Sequence, residues 1–394
     1  MRQLTEQQAA AVEKFKRLRV GALFMACGTG KTQTAAAIVN GIDDADALFW
    51  LCPCRTIDNL REELSKCNLS REAQIIGIES IGQSDRIFLE TKARIESTKR
   101  AILVCDESLK IKNISAKRTK RLLALSQAAH YRLILNGTPI TKNILDIYPQ
   151  MEFLSPKIFN STFRQFKTRY CVLGQKKQGK RVIKEWVKSF ANIEHLQSVI
   201  APYVFQCDLK LSVAREHKTE YFYLSDDEAE RYQDLKDAMI REIEEAQAHG
   251  RDEGFSFLKF CQKAQQEYSC AAEKFECLKK YADAETVVFC KFIRSYEAVK
   301  RAFPKLTVLT YGKNSIGLNL QDKRRIVYFD KTFDYAHAEQ SEYRIFRTGQ
   351  TQDCEYIHFH GNVGLENLFD DVIGRKESLI QHFKKNSKKV LAQL

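Results

Sequence analysis

A chain of 394 residues that is 44% hydrophobic is long enough for two or three domains with a real core, which excludes a disordered protein. No apolar run approaches the ~18 residues of a membrane span, and Met1–Glu6 carries no apolar signal core, so neither a membrane nor a secreted protein is expected. The expected compartment is a reducing cytoplasm. The net charge of +13 and pI near 9.1 favour a polyanionic partner, and twelve scattered cysteines without a C-x-x-C read as free thiols rather than a zinc site.

The chain opens with a helix from about Leu4, with Val12 and Phe15 on its core face. Gln8 is a candidate to read an adenine edge, because an amide donates and accepts at once. Gly21 to Met25 is a short apolar strand. Cys27-Gly28-Thr29-Gly30-Lys31-Thr32 follows, then an Ala-rich helical run from Ala35 to Val39. Strand, glycine turn and helix make a phosphate-binding loop: backbone N–H groups and the helix dipole face the anion, and glycine lets the backbone approach it. Lys31 would reach the β- and γ-phosphates of ATP, and Thr32 would hold Mg²⁺ through its hydroxyl. The strict pattern has glycine where Met25 stands, so a plain strand–helix turn competes.

Further apolar strands are expected at Ala47–Cys52, Ile75–Ile78, Ala101–Cys105 and Tyr131–Leu135. Asp106 and Glu107 end the third of these. Ligands of an open α/β sheet sit at that strand end, so Asp106 is placed to bind Mg²⁺ through water and Glu107 to orient and deprotonate the attacking water. An acidic turn is the alternative. Thr138, in Asn136-Gly137-Thr138-Pro139, is placed to sense the γ-phosphate or Glu107, against a plain turn. Alternating strands and helices make residues 1–150 one doubly wound lobe.

Composition then shifts. Across 155–190 ten basic residues face one acid, Glu185, and Phe163, Phe166, Tyr170, Trp186 and Phe190 are interleaved. Two strand-like runs flank a basic tip, which predicts a β-hairpin whose Lys176, Lys177, Lys180 and Arg181 contact a phosphate backbone. A solvated hairpin packed on its own aromatics is the competing reading. This 151–215 segment leads to a second doubly wound lobe, 216–394, with a capping box at Ser225–Glu228, four more short strands and a helical tail from Leu365. In it, Arg344 and Arg347 are three apart, on or near a helix, and would share a face able to clamp a phosphate, against a solvated helix face.

The order of these motifs resembles the Swi/Snf-type ATPases of helicase superfamily two. Asp106-Glu107-Ser108-Leu109-Lys110-Ile111-Lys112-Asn113 is similar to D-E-x-H-x-I-K-N, and Leu135–Ile140 to L-T-G-T-P-I. Gly317-Leu318-Asn319-Leu320 matches G-L-N-L, and Arg344-x-x-Arg347-x-Gly349-Gln350 matches R-x-x-R-x-G-Q. The resemblance runs from Leu4 to about His360. It implies two RecA-like α/β lobes with a basic insertion between them, ATP and Mg²⁺ as ligands, Gln8 in an adenine-contacting motif, and Arg344 and Arg347 as arginine fingers. Thr138, Gly317, Asn319 and Gln340 would couple nucleotide state to movement. Leu109 stands where the family has His, Phe205-Gln206-Cys207 where paired arginines often lie, and the span from Phe303 to Ser315 is short for the family. The minimal length resembles versions found in phages and bacterial mobile elements, which implies the cytoplasm of a bacterium or phage-infected host cell.

The function read from the sequence is therefore ATP-dependent translocation on double-stranded DNA by a monomer. A protein partner such as a nuclease or replication factor is possible. The alternatives are a strand-separating DNA or RNA helicase, and an ATP-switched nucleic-acid-binding protein with little turnover.

Overall fold

The computed structural model describes residues 4–137, 139–140, 144–178, 181–249, 253–311 and 320–374. They fall into two compact units, Met1–Lys210 and Leu211–Leu394.

In the first unit the order is α1 (Glu6–Phe15), β1 (Val20–Met25), α2 (Lys31–Asn40), β2 (Ala47–Cys52), α3 (Ile57–Ser65), β3 (Ala73–Gly77), α4 (Ile78–Gln83), α5 (Asp85–Glu96), β4 (Ala101–Cys105), α6 (Lys117–Ala128) and β5 (Tyr131–Asn136). Then come α7 (Ile147–Leu154), α8 (Phe163–Tyr170), β6 (Cys171–Gln178), β7 (Arg181–Phe190), α9 (Ile193–Ile200) and β8 (Val204–Cys207). Six strands form one sheet in the order β3-β2-β4-β5-β1-β8, every pairing parallel. Parallel sheets bury both faces, which is why the strands are apolar without interruption. Phe24, Phe49, Leu51 and Leu103 line one face, and Leu23, Trp50, Val104 and Leu135 the other. Each fully buried side chain of this kind contributes about 1.5–3 kcal/mol. This is the doubly wound class expected. The parallel arrangement puts the ends of β1, β4 and β5 on one edge, with Gly28–Lys31, Asp106–Glu107 and Gly137 beyond them.

The segment after α7 returns to this unit: β8 pairs with β1, in register Leu23↔Phe205. Before it, β6 and β7 make the antiparallel hairpin expected of the basic stretch. Two helices, α4 and α5, occupy a stretch whose pattern is weak, since α5 leaves Leu89 59% exposed.

The second unit runs β9 (Arg215–Phe222), α10 (Asp226–Ala248), α11 (Glu253–Glu267), α12 (Ala272–Lys279), β10 (Thr286–Cys290), α13 (Ile293–Ala302), β11 (Thr307–Thr310), β12 (Arg325–Tyr328), α14 (Tyr335–Glu342), β13 (Cys354–Gly361) and α15 (Gly364–Gly374). Its five parallel strands lie in the order β11-β10-β12-β13-β9. Val288, Val327, Ile357 and Phe359 pack with residues of α10, α11, α13 and α15, among them Met239, Phe257, Val299 and Leu368. Among the described residues no helix is long and apolar enough to cross a membrane, and the twelve cysteines are free thiols.

Candidate active site

The loop after β1 is a tight glycine turn that ends at the N-terminus of α2. Gly28 and Gly30 take φ values of +81° and +78°, which L side chains rarely adopt, and Gly30 is the N-cap of α2. A Cβ on Gly30 would collide with the Gln8 amide nitrogen. Thr29 folds inward, its Oγ1 donating to the Ala26 carbonyl at 2.7 Å. The Lys31 ammonium donates to the carbonyls of Met25 (3.1 Å) and Ala26 (3.3 Å), so it lies across the loop it would share with phosphates. Thr32 is the second residue of α2, half-buried in its first turn.

Gln8 is buried and both ends of its amide are engaged. Oε1 accepts from the Thr5 N–H (3.0 Å), while Nε2 donates to the Thr29 carbonyl (2.9 Å). Thr5 and Gln8 form a reciprocal capping box on α1. Gln8 thus ties the first helix to the phosphate loop, a contact 21 residues apart that the sequence did not announce.

Asp106 and Glu107 follow β4. The Asp106 N–H donates to the Leu51 carbonyl, continuing the ladder, and its Oδ1 accepts from the Glu107 N–H at 2.9 Å. Burial, with the neighbouring Glu107 carboxylate, pushes the Asp106 carboxyl up to about 7 against the pull of the Lys31 ammonium. Glu107 has φ +53°, a left-handed backbone uncommon for a glutamate, and such outliers gather at functional sites. From β5, Gly137 closes on the loop: a Cβ there would lie 3.2 Å from Cys27 Sγ and 3.6 Å from Lys31 Nζ. Lys31, Asp106 and Gly137 therefore converge within one unit. The donors present suit Mg²⁺, a hard cation that takes few protein oxygens and keeps the rest for phosphate and water; Thr32 and Asp106 would supply them. Among the described residues no cluster of three or more metal-ligating side chains occurs. Thr138 lies outside the described residues.

In the second unit, α14 ends at Glu342, so Arg344 and Arg347 stand in the turns after it rather than on a helix face. Both are half-buried. The Gln350 amide pins this loop, Nε2 donating to the carbonyls of Lys323 (2.8 Å) and Ile345 (3.2 Å), and Gly349 turns it at φ +100°. The Leu320 N–H donates to the Arg344 carbonyl at 3.2 Å, joining the end of the G-L-N-L stretch to the arginine loop. Gly317 and Asn319 lie outside the described residues, and Gln340 is on α14, half-buried. Behind these, Lys274 Nζ donates to Asp330 Oδ1 at 2.7 Å, both side chains at most 2% exposed, a pair with no local pattern to reveal it.

On the hairpin, Lys176, Lys177 and Arg181 are described by their backbone pairing alone, and Lys180 lies outside the described residues. Trp186 pairs across from Gly174, where a Cβ would come within 2.5 Å of the indole. Trp186 nonetheless stays 46% exposed, and on the same hairpin Val172 is 46% and Phe190 43% exposed.

A family model described as SNF2-related domain matches residues 28–270. The chain belongs to this family. It thereby joins the Snf2-type ATPases of helicase superfamily two, whose order of motifs it shares. It is similar to the Drosophila melanogaster SWI/SNF-related matrix-associated actin-dependent regulator of chromatin subfamily A-like protein 1, 23% identical over 398 residues, covering 88% of this chain and 50% of that protein. It is also similar to the Schizosaccharomyces pombe SWI/SNF chromatin-remodeling complex subunit snf22, 34% identical over 117 residues, 29% of this chain and 7% of that one. The chain spans half or less of the length of these relatives. Among solved structures it resembles the Sulfolobus solfataricus SWI2/SNF2 ATPase core in complex with dsDNA, at 19% identity and a TM-score of 0.45, covering 97% of this chain and 92% of that one.

Proposed function

We propose that the chain hydrolyses ATP in response to double-stranded DNA and uses the turnover to move along the duplex without separating its strands. The observation that carries this reading is the convergence of Lys31, Asp106 and Gly137 on one sheet edge, beside a Glu107 held in left-handed backbone, in a SNF2-related chain. Lys31 would exchange its two backbone acceptors for phosphate oxygens. Glu107 would orient the attacking water and take its proton. Mg²⁺, when bound, neutralises charge on the phosphates. Arg344 and Arg347 would supply positive charge to the transition state, a contribution of roughly three to five powers of ten in rate. The basic hairpin would hold the phosphate backbone. ATP turnover measured over blunt duplex, single-stranded DNA and RNA tests the reading. Stimulation by single strands alone would end it.

A strand-separating helicase is the second reading, favoured by the exposed Trp186, Val172 and Phe190 on the hairpin. Backbone contact to a duplex has no use for an open indole, whereas stacking an unpaired base on one is worth about 1–3 kcal/mol. The other tryptophan, Trp50, is fully buried, so quenching of the accessible emission reports Trp186. Quenching by forked or single-stranded DNA but not by blunt duplex would favour this reading.

A further inference from the structure

Gln150 sits on α7 and is fully buried among Ile147, Met151, Phe153 and Leu154. An apolar side chain of similar volume would fill that space without the cost of desolvating an amide. The amide is instead saturated. Nε2 donates to the carbonyls of Pro139 (2.7 Å) and Asp146 (2.8 Å), and Oε1 accepts from Ser108 Oγ (2.7 Å). Two carbonyl acceptors on one end fix which end is nitrogen.

These partners are not equivalent. Pro139 belongs to the loop that leaves β5, and Asp146 immediately precedes α7 itself. Ser108, fully buried, is the residue after Glu107. One side chain therefore bolts the end of β4 to the end of β5, next to a glutamate at φ +53°. Among the described residues the hydrogen bonds of Glu107 itself are local: its N–H donates to Asp106 Oδ1 and its carbonyl accepts from the Lys110 N–H at 2.9 Å. Neither reaches another element. The Gln150–Ser108 hydrogen bond does.

We infer that Gln150 is a positioning residue: through Ser108 it holds Glu107 in its left-handed conformation and makes that conformation depend on where the loop after β5 stands. The inference rests on the ATPase reading of the site. It assigns a role to a residue that touches neither nucleotide nor nucleic acid.

Steady-state ATP turnover of the full chain with saturating duplex DNA tests it, on wild type, Gln150→Leu, Ser108→Ala and the double variant. Gln150→Leu should lower kcat about tenfold or more while KM for ATP stays within about twofold, because the phosphate loop is untouched. Ser108→Ala should lower kcat in the same direction, and the double variant should be no slower than Gln150→Leu, since both remove one link. Ser108→Ala deletes a single hydroxyl and carries the test if Gln150→Leu does not fold. A kcat within twofold of wild type for both single variants would overturn the inference. So would losses that multiply in the double variant. A wild-type chain that hydrolyses no ATP would instead refute the ATPase reading, a different result.

Discussion

Gly30→Ala probes the phosphate loop through two separable effects. Gly30 has φ +78°, so an alanine there carries the left-handed penalty of about 1–2 kcal/mol. Its Cβ would also meet the Gln8 amide nitrogen, forcing apart the buried 2.9 Å hydrogen bond from Gln8 to the Thr29 carbonyl. Leaving that buried donor unmatched costs about 1–3 kcal/mol. The combined loss should be roughly 2–5 kcal/mol, confined to the first unit. Both tryptophans, Trp50 and Trp186, lie in that unit, so denaturant unfolding followed by tryptophan emission reports it selectively. Gln8→Ala should lose the same hydrogen bond to Thr29 together with the Oε1 half of the α1 capping box, and the double variant should fall short of the sum of the two single losses. A Gly30→Ala protein within about 0.5 kcal/mol of wild type would refute this reasoning, since that is the range of an ordinary surface change.

Asp106→Asn removes a buried acid whose folded-state value lies near 7, above its unfolded value. The protonated form is favoured in the folded state, so stability tied to it is present below the unfolded value and is lost as pH rises through about 7. In nucleotide- and metal-free protein, Asp106→Asn should therefore be more stable than wild type above pH 7, by an amount on the order of 4 kcal/mol at most, with the gap closing toward pH 4. Thermal midpoints across pH check it. Lys274→Ala strips the partner from the buried Asp330 and should cost about 3–5 kcal/mol in the second unit; Asp330 keeps the Lys291 N–H at 3.0 Å and the Ser295 hydroxyl, so the lower end is expected. Far-ultraviolet circular dichroism during unfolding measures it. Replacing Lys176 and Lys177 by alanine should lower the slope of log affinity against log salt for duplex DNA by about 1.8, if both meet phosphates.

The sheets were legible because parallel strands buried on both faces announce themselves as apolar runs: Ala101–Cys105 and Ala47–Cys52 coincide with β4 and β2. The glycine turn before α2 and the position of the acids after β4 were legible because their spacing is local. What escaped is non-local. Gln8 carries a capping pattern with Thr5, but nothing in the sequence joins it to Thr29. Gln150 is one amide in a mostly apolar helix and has no pattern at all. Arg344 and Arg347 were expected on or near a helix and stand just beyond α14, which stops at Glu342, so the shared helix face read from their three-residue spacing is not formed there. The loop beyond α14 is held by the Leu320 N–H on the Arg344 carbonyl and by the Gln350 amide on the Lys323 carbonyl, contacts that no local pattern shows.

ATP turnover by the full chain, with and without blunt duplex DNA, for wild type and Lys31→Ala, tests the central claim most directly. The account predicts that duplex raises wild-type turnover steeply and that Lys31→Ala abolishes it while duplex binding persists. Turnover indifferent to duplex, or a Lys31→Ala chain that hydrolyses ATP as wild type does, would contradict it.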